Sequence, residues 1–474
     1  FAVLLNEQGD LAAAEDLHEE ALAMRRELLG SGHPDVALSL SNLGALHNGR
    51  GDYSLSVRLH REALEIRRGA LGNNHPTVAA TLINMAVSLH RMGDHDRAES
   101  LTKEALEIQR SVLGSEHPDI AVTLSNLAAM VDDAGRHQEA LDLERESLAM
   151  RTKLLGEHHP DIAAGLTNLA YLLWDESASA RVESLLTEAA HVYDHARLRA
   201  GIGLERSSFQ ASPYQALAAA RLDLGLHERA WPAAEKAHAR SLADLLIGTA
   251  QRDLSPAEAA GEESLLVALE TLGGRYASYQ QALLESKSGE LEEQAEKTRD
   301  ALLSVRARWE AFQHQLVMNN PVREGVAFPL ERVQAALTDE TAILGWLDVE
   351  VSGQRYVSWI YVIRDTGEVR WAPAGGLPLG GSTNSPFDRM TEFRNRLARP
   401  DKWNAGLEIE LRELWSERIA PAVPFLGGVT ELVVIQSGAM VGVPAEPLLD
   451  ANDHFLGSRY SVSYAPSSTV YAWL

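Results

Sequence analysis

Four asparagines, Asn42, Asn84, Asn126 and Asn168, recur at intervals of 42 residues. A carboxamide donates and accepts hydrogen bonds at once. A row of them at fixed spacing can hold the main chain of an extended peptide whatever its side chains. The same amides can instead bond to the backbone of neighbouring helices, and spacing alone leaves both readings open. Four histidines keep the same step, each followed by proline: His33-Pro34, His75-Pro76, His117-Pro118 and His159-Pro160. A row of imidazoles suggests metal chemistry, but stacked helices lie roughly 10 Å apart, too far for shared coordination. These histidines are therefore expected to cap the helices that follow them. The 474 residues contain no cysteine, so they offer no thiolate metal site, disulfide or cysteine nucleophile. No catalytic residue, cofactor or metal is expected from them.

The elements that carry these residues follow from the same period. Leu29-Gly30, Leu71-Gly72, Leu113-Gly114 and Leu155-Gly156 share it, as do Gly9, Gly51, Gly93 and Gly135. A fixed step in this range marks an array of small supersecondary units. Within one unit, Pro34 suits the first turn of a helix and Asp35 its positive end. Apolar residues then recur at three- and four-residue steps through Leu46. Gly51 ends that helix, and Asp52 is expected to cap the next. The second helix carries Leu59, Ala63, Leu64 and Ile66 on one side and closes at Leu71-Gly72, with Arg67 and Arg68 in its last turns. Small residues where helices cross recur in step, at Ala21, Ala63, Ala105, Ser147 and Ala189 and at Gly44, Ala86, Ala128 and Ala170.

Composition narrows the partners. At 45% hydrophobic and 23% charged residues, the chain is a folded protein rather than a disordered one. A net charge of −24 repels phosphate backbones and anionic lipid, so neither nucleic acid nor membrane is expected. A protein or peptide partner is, and a basic one suits the charge. No apolar run approaches the roughly 20 residues needed to span a bilayer, no signal peptide is visible, and the absence of cysteine fits a cytoplasmic protein. Phe1, inside a repeat, opens the chain as it would open a fragment.

After Asp175 the array decays, with Ser177 where the fifth turn glycine is due. Residues 196–248 read as a spacer and a divergent terminal pair, Tyr214–Leu224 and Glu228–Leu246, with Gly225 between. Residues 249–325 read as a helical hairpin without the period. From about 328 the composition turns to β-branched and aromatic residues. Strands are expected at 342–349, 356–363, 369–371, 431–435 and 460–464, the first three as an antiparallel meander, and helices at about 386–398 and 405–419. The glycines of 375–381 lack the Lys-Ser/Thr of a phosphate loop. Ser437 and His454 read as turn residues.

Residues 1–195 resemble the tetratricopeptide repeat in its 42-residue form, found in kinesin light chains and many bacterial signalling proteins. Leu432 to Leu448, with Tyr464-Ala465-Pro466-Ser467, resembles the opening half of a CHAT domain, a caspase-like module associated with such repeats. Gln436 and Ser437 stand where that family has Pro-Asp, and Ala445 where it has Phe. The helix Ala233 to Leu242 is similar to the one that commonly closes the repeats of such proteins. These resemblances imply an α-solenoid, a tetratricopeptide superhelix, followed over 326–474 by an incomplete α/β caspase-like domain. They imply a partner-binding scaffold that regulates a cysteine endopeptidase, whose histidine and cysteine would lie downstream of Ser467. The chain itself would then be inactive. The alternative is a non-enzymatic adaptor whose caspase-like fold only docks other proteins. A kinesin-light-chain-like adaptor would explain the repeats but not the strands.

Overall fold

Prolines 34, 76, 118 and 160 each open a helix, because a proline at the first helical position gives up an N–H that has no partner there. The computed structural model describes residues 11–174, 178–199, 212–247, 255–285, 289–319, 327–352, 355–375, 393, 396–397, 405–437 and 440–473. Two compact units are formed, Phe1–Tyr193 with Glu350–Arg355, and Asp194–Val349 with Tyr356–Leu474.

The helices that begin in the first unit are α1 (Leu11–Leu29), α2 (Pro34–Gly49), α3 (Tyr53–Leu71), α4 (Pro76–Arg91), α5 (His95–Leu113), α6 (Pro118–Asp133), α7 (His137–Leu155), α8 (Pro160–Leu172) and α9 (Ala180–Arg199). From α1 to α8 each packs on its neighbour in sequence, and α2, α4, α6 and α8 also touch one another in succession. The array is therefore a solenoid of stacked helical hairpins, with the asparagine-bearing helices side by side. Its core repeats in step. Ala63, Ala105, Ser147, Ala86 and Ala128 are fully or almost fully buried, since only small side chains fit where helices cross closely.

Two kinds of glycine punctuate the unit. Gly51, Gly93 and Gly135 take φ of +83°, +83° and +78°, the left-handed conformation that glycine adopts without strain. The residue after each donates its N–H to a carbonyl five residues back, Asp52 to His47 O at 2.8 Å, Asp94 to Leu89 O at 2.9 Å and Arg136 to Val131 O at 3.0 Å. This is the Schellman closure of a helix. It also corrects the expected cap. Asp52 stands at the N-cap of α3 but makes no capping bond with its side chain. The turn holds its ψ at 54°, away from the extended conformation that lets an N-cap side chain reach forward. The other kind, Gly72, Gly114 and Gly156, follows the second helix of each unit, also at positive φ.

The elements that lie wholly or mostly in the second unit are α10 (Tyr214–Asp223), α11 (His227–Ile247), α12 (Pro256–Glu285), α13 (Gly289–Asn319), α14 (Leu330–Gln334), β1 (Thr341–Ser352), β2 (Arg355–Ile363), β3 (Arg370–Pro373), α15 (Ala405–Arg418), β4 (Glu431–Ile435), α16 (Leu456–Arg459), β5 (Ser461–Ala465) and α17 (Ser468–Trp473). Helices α12 and α13 pack on each other as a hairpin. The sheet has the order β3-β2-β1-β4-β5. β2 and β3 are antiparallel, with Tyr361 opposite Trp371. β1, β4 and β5 are parallel, pairing Ile343 with Val433 and Val433 with Ser463. The sheet is thus mixed: the antiparallel β2-β3 pair of the expected meander shares the sheet with a parallel half. Parallel strands need crossover connections, and the β3-to-β4 connection contains α15. Leu344, Trp346, Leu411, Leu414, Leu432 and Val434 join one core cluster. Of the helix expected at 386–398, only Phe393, Arg396 and Leu397 lie within the described residues, as does only Gly375 of the glycine-rich loop.

Candidate functional site: the repeat surface

Each histidine of the His-Pro pairs sits at the N-cap of its helix in extended conformation. Nδ1 of His33, His75, His117 and His159 accepts the backbone N–H of Asp35, Thr77, Asp119 and Asp161, each at 3.2 Å. This satisfies one of the orphan donors of the first turn. The four histidines are helix caps.

The asparagines occupy one point of α2, α4, α6 and α8. Asn42 and Asn126 are half-buried, Asn84 and Asn168 exposed. Asn168 Nδ2 donates to Ser125 Oγ of the preceding repeat at 3.2 Å. Ser125 Oγ in turn donates to Glu144 Oε2 at 2.5 Å. Burial raises the Glu144 carboxyl above its usual range, against the opposing hydrogen bond from Ser125 and the nearby charge of Arg151. The amides of Asn42, Asn84 and Asn126 make no hydrogen bond to the described residues of the chain, so both their donors and their acceptors stand open.

The last turn of each second helix carries a pair of residues with different work. Arg26, Arg68 and Arg110 reach Glu62, Glu104 and Glu146 of the next repeat, at 2.5 Å in the first pair and 3.0 Å in the third. Residues one position earlier turn inward. Arg67 is buried and donates to Thr77 O at 3.2 Å and to Thr81 Oγ1. Arg151, two repeats on, donates to Asp161 O at 3.2 Å. Both rows were present in the period of the sequence, but placing Arg67 and Arg68 near a helix C-terminus did not separate them. Inward and outward polar links thus both fix the stacking of neighbours.

A second polar row lies in the core, at the step of His18, His60, Thr102 and Glu144. His60 is buried and its pKa is lowered to about 4, by burial first and then by Arg67. Its ring lies directly against Gly44, where a Cβ would come within 2.7 Å of Nε2.

In the second unit, Glu235 of α11 is buried and accepts the backbone N–H of Thr469 at 2.6 Å and of Ser468 at 3.3 Å. Burial raises its carboxyl above the usual range. His238 stacks on Tyr361 with ring centroids 6.3 Å apart, and burial lowers its pKa to about 4. Asp348 and Arg418 form a buried bidentate pair at 2.9 and 2.6 Å, and Ser358 Oγ donates to Asp348 at 2.7 Å. Ser437 Oγ donates to Trp346 O at 2.5 Å and is buried, so it serves structure. His454 lies in a turn 3.4 Å from Asp450. Gln436 braces the following loop, donating to Val443 O at 2.8 Å and accepting from Gly442 N at 3.4 Å.

Residues 1–69 and 77–153 match the tetratricopeptide repeat family and are tetratricopeptide repeats. Several solved structures are similar over longer stretches. The nearly identical TPR-like repeats of a putative kinesin light chain from Podosopora anserina share 24% identity. The match covers 44% of this chain and 94% of that one, with a TM-score of 0.33. BtubC (BKLC) from P. vanneervenii shares 20%, with 53% and 94% covered and a TM-score of 0.38. A Rap protein complexed with competence and sporulation factor shares 15%, with 66% and 98% covered and a TM-score of 0.36. No curated protein matches the chain. Among the described residues, no helix is long and apolar enough to cross a membrane.

Proposed function

We propose that the repeats form a receptor for an extended segment of a partner protein, gripped along its main chain by Asn42, Asn84, Asn126 and Asn168. The observation that carries this reading is the set of open amides on adjacent first helices. Three of the four have no bond to the described residues of the chain, and a row of groups that both donate and accept matches a peptide backbone. The net charge of −24 favours a basic partner.

Residues 326–474 are read as part of a caspase-like CHAT domain. The parallel β1-β4-β5 strands and the Tyr464-Ala465-Pro466-Ser467 element at the end of β5 support that reading. The catalytic cysteine of that family has no counterpart among these residues. The repeats are accordingly assigned a regulatory role toward a cysteine endopeptidase, and the chain's own residues a binding role. Partner binding would bias a two-state equilibrium of that domain. The alternative is a docking-only domain in a non-enzymatic adaptor.

The test is the double change Asn84→Ala/Asn126→Ala in the whole chain. The partner is first identified by crosslinking to the intact protein and mass spectrometry. We expect partner affinity to fall about tenfold, as loss of a few neutral hydrogen bonds implies, with the melting temperature nearly unchanged. A large drop in stability with undiminished affinity would refute the assignment. Sequencing beyond Leu474 separates the two readings of residues 326–474. A histidine and a cysteine after successive strands favour the endopeptidase, and their absence favours the docking module.

A further inference from the structure

The junction of the second and third repeats brings two histidines and a carboxylate together. His90 takes the place of Asn48 in the repeat before and of Asp132 in the repeat after. His95 takes the place of Tyr53 and His137, and Asp133 that of Arg91. His90, His95 and Asp133 converge in space. His90 lies in the last turn of α4, His95 opens α5, and Gly93 bends the chain between them. The two imidazoles meet edge to face with centroids 5.0 Å apart, and their Nδ1 atoms are separated by 3.2 Å. On its other side, His90 Nε2 lies 3.0 Å from Oδ2 of Asp133, the last residue of α6. One ligand atom from each of the three lies within 4.8 Å of those from the other two.

Two imidazole nitrogens this near share either a proton or a cation. With bonds of about 2.0–2.1 Å to a tetrahedral ion, two nitrogen ligands stand about 3.3 Å apart, close to what is observed. Asp133 can act in either of two ways. It can be the third ligand, or it can hold the Nε2–H of His90 and leave Nδ1 free for the metal, as carboxylates commonly do behind metal-bound histidines. His95 and Asp133 are exposed and His90 half-buried, so an ion can enter from solvent. The charge of Arg91 also acts on Asp133, more weakly than His90 and His95.

We propose that His90, His95 and Asp133 bind a divalent transition-metal ion of the Zn2+ class, with water filling the remaining positions. Nitrogen-rich ligands with one carboxylate suit Zn2+, Cu2+ or Ni2+. They do not suit Ca2+ or Mg2+, which need oxygen shells. The ion would join α4, α5 and α6, and so fix the stacking of the two helices that carry Asn84 and Asn126. The site stands on its own geometry and does not depend on the peptide-binding role.

The experiment is isothermal titration of the untagged full chain, stripped of metal, with ZnCl2, and the same titration of four variants. We expect one saturable site. Its affinity should fall by at least about tenfold in His90→Ala, His95→Ala and Asp133→Asn, and stay unchanged in His137→Ala. X-ray absorption of the loaded protein should show imidazole ligation. His95 is exposed, so His95→Ala leaves the helices intact, and circular dichroism checks this. The proposal is overturned if no saturable binding occurs, if His95→Ala binds as well as the parent, if His137→Ala loses as much as His95→Ala, or if Mg2+ competes equally at the site.

Discussion

Gly44 and His60 form a size-matched pair, and the neighbouring repeat holds a different solution at the same point, Ala86 with Thr102. A Cβ added at Gly44 would lie 2.7 Å from His60 Nε2 and 2.8 Å from Cε1. The ring is 1% exposed and has nowhere to retreat. Gly44→Ala is therefore expected to lose about 1–3 kcal/mol to overpacking, outweighing the gain of about 1 kcal/mol from replacing a mid-helix glycine. The double change Gly44→Ala/His60→Thr reproduces the neighbouring pair and should recover that loss. His60 also carries a pH signature. Its pKa is 6.5 unfolded and about 4 folded, so the unfolded chain takes up the proton first as pH falls. The stability is fully present above 6.5 and is lost progressively as pH drops toward 4. At about 1.4 kcal/mol per pH unit the loss reaches about 3 kcal/mol. Hydrogen–deuterium exchange of peptides from α2 and α3, corrected for intrinsic rates, reads both effects locally. That avoids treating a chain of two units as a single transition. The reasoning fails if Gly44→Ala increases protection, if the double change is no better than the single one, or if acid sensitivity of α2 and α3 persists unchanged in His60→Thr.

The other expectations are of different kinds. Arg67→Ala removes buried bonds to Thr77 O and Thr81 and should cost about 1–3 kcal/mol, whereas Arg68→Ala loses a solvent-facing pair and should cost under about 1 kcal/mol. Equal costs in thermal denaturation would contradict the division between the inward and outward rows. Arg418→Met removes the cation that faces the buried Asp348 carboxylate and should cost about 3–5 kcal/mol. The double change Arg418→Met/Asp348→Leu should recover much of it, and chemical denaturation of the second unit decides. Glu235→Leu strands the N–H groups of Ser468 and Thr469 and should lower stability by about 1–3 kcal/mol per orphaned donor. Unaltered exchange protection of 467–473 would show that Glu235 does not hold α17.

The sequence by itself determined the repeats. Period, helix starts, glycine turns and small crossing residues are local signals, each tied to a backbone conformation or a contact with the adjacent unit, and all agree in register. The capping role of the four histidines was legible for the same reason: an N-cap acts within two residues of itself. Strand positions in the second unit were legible from composition to within a few residues. Their pairing was not, because the parallel register of β1 with β4 joins residues 90 apart, with no local trace of which strand is whose neighbour. The buried polar partners were likewise decided by tertiary structure. Arg67 and Arg68 are consecutive and chemically identical, yet one is buried against the next helix and the other is half-buried and reaches a carboxylate at the surface. The meeting of His90, His95 and Asp133 belongs to the same class. Two of the three are five residues apart, but the third comes from the following repeat. Only the stacking distance between helices puts its carboxylate against the imidazole.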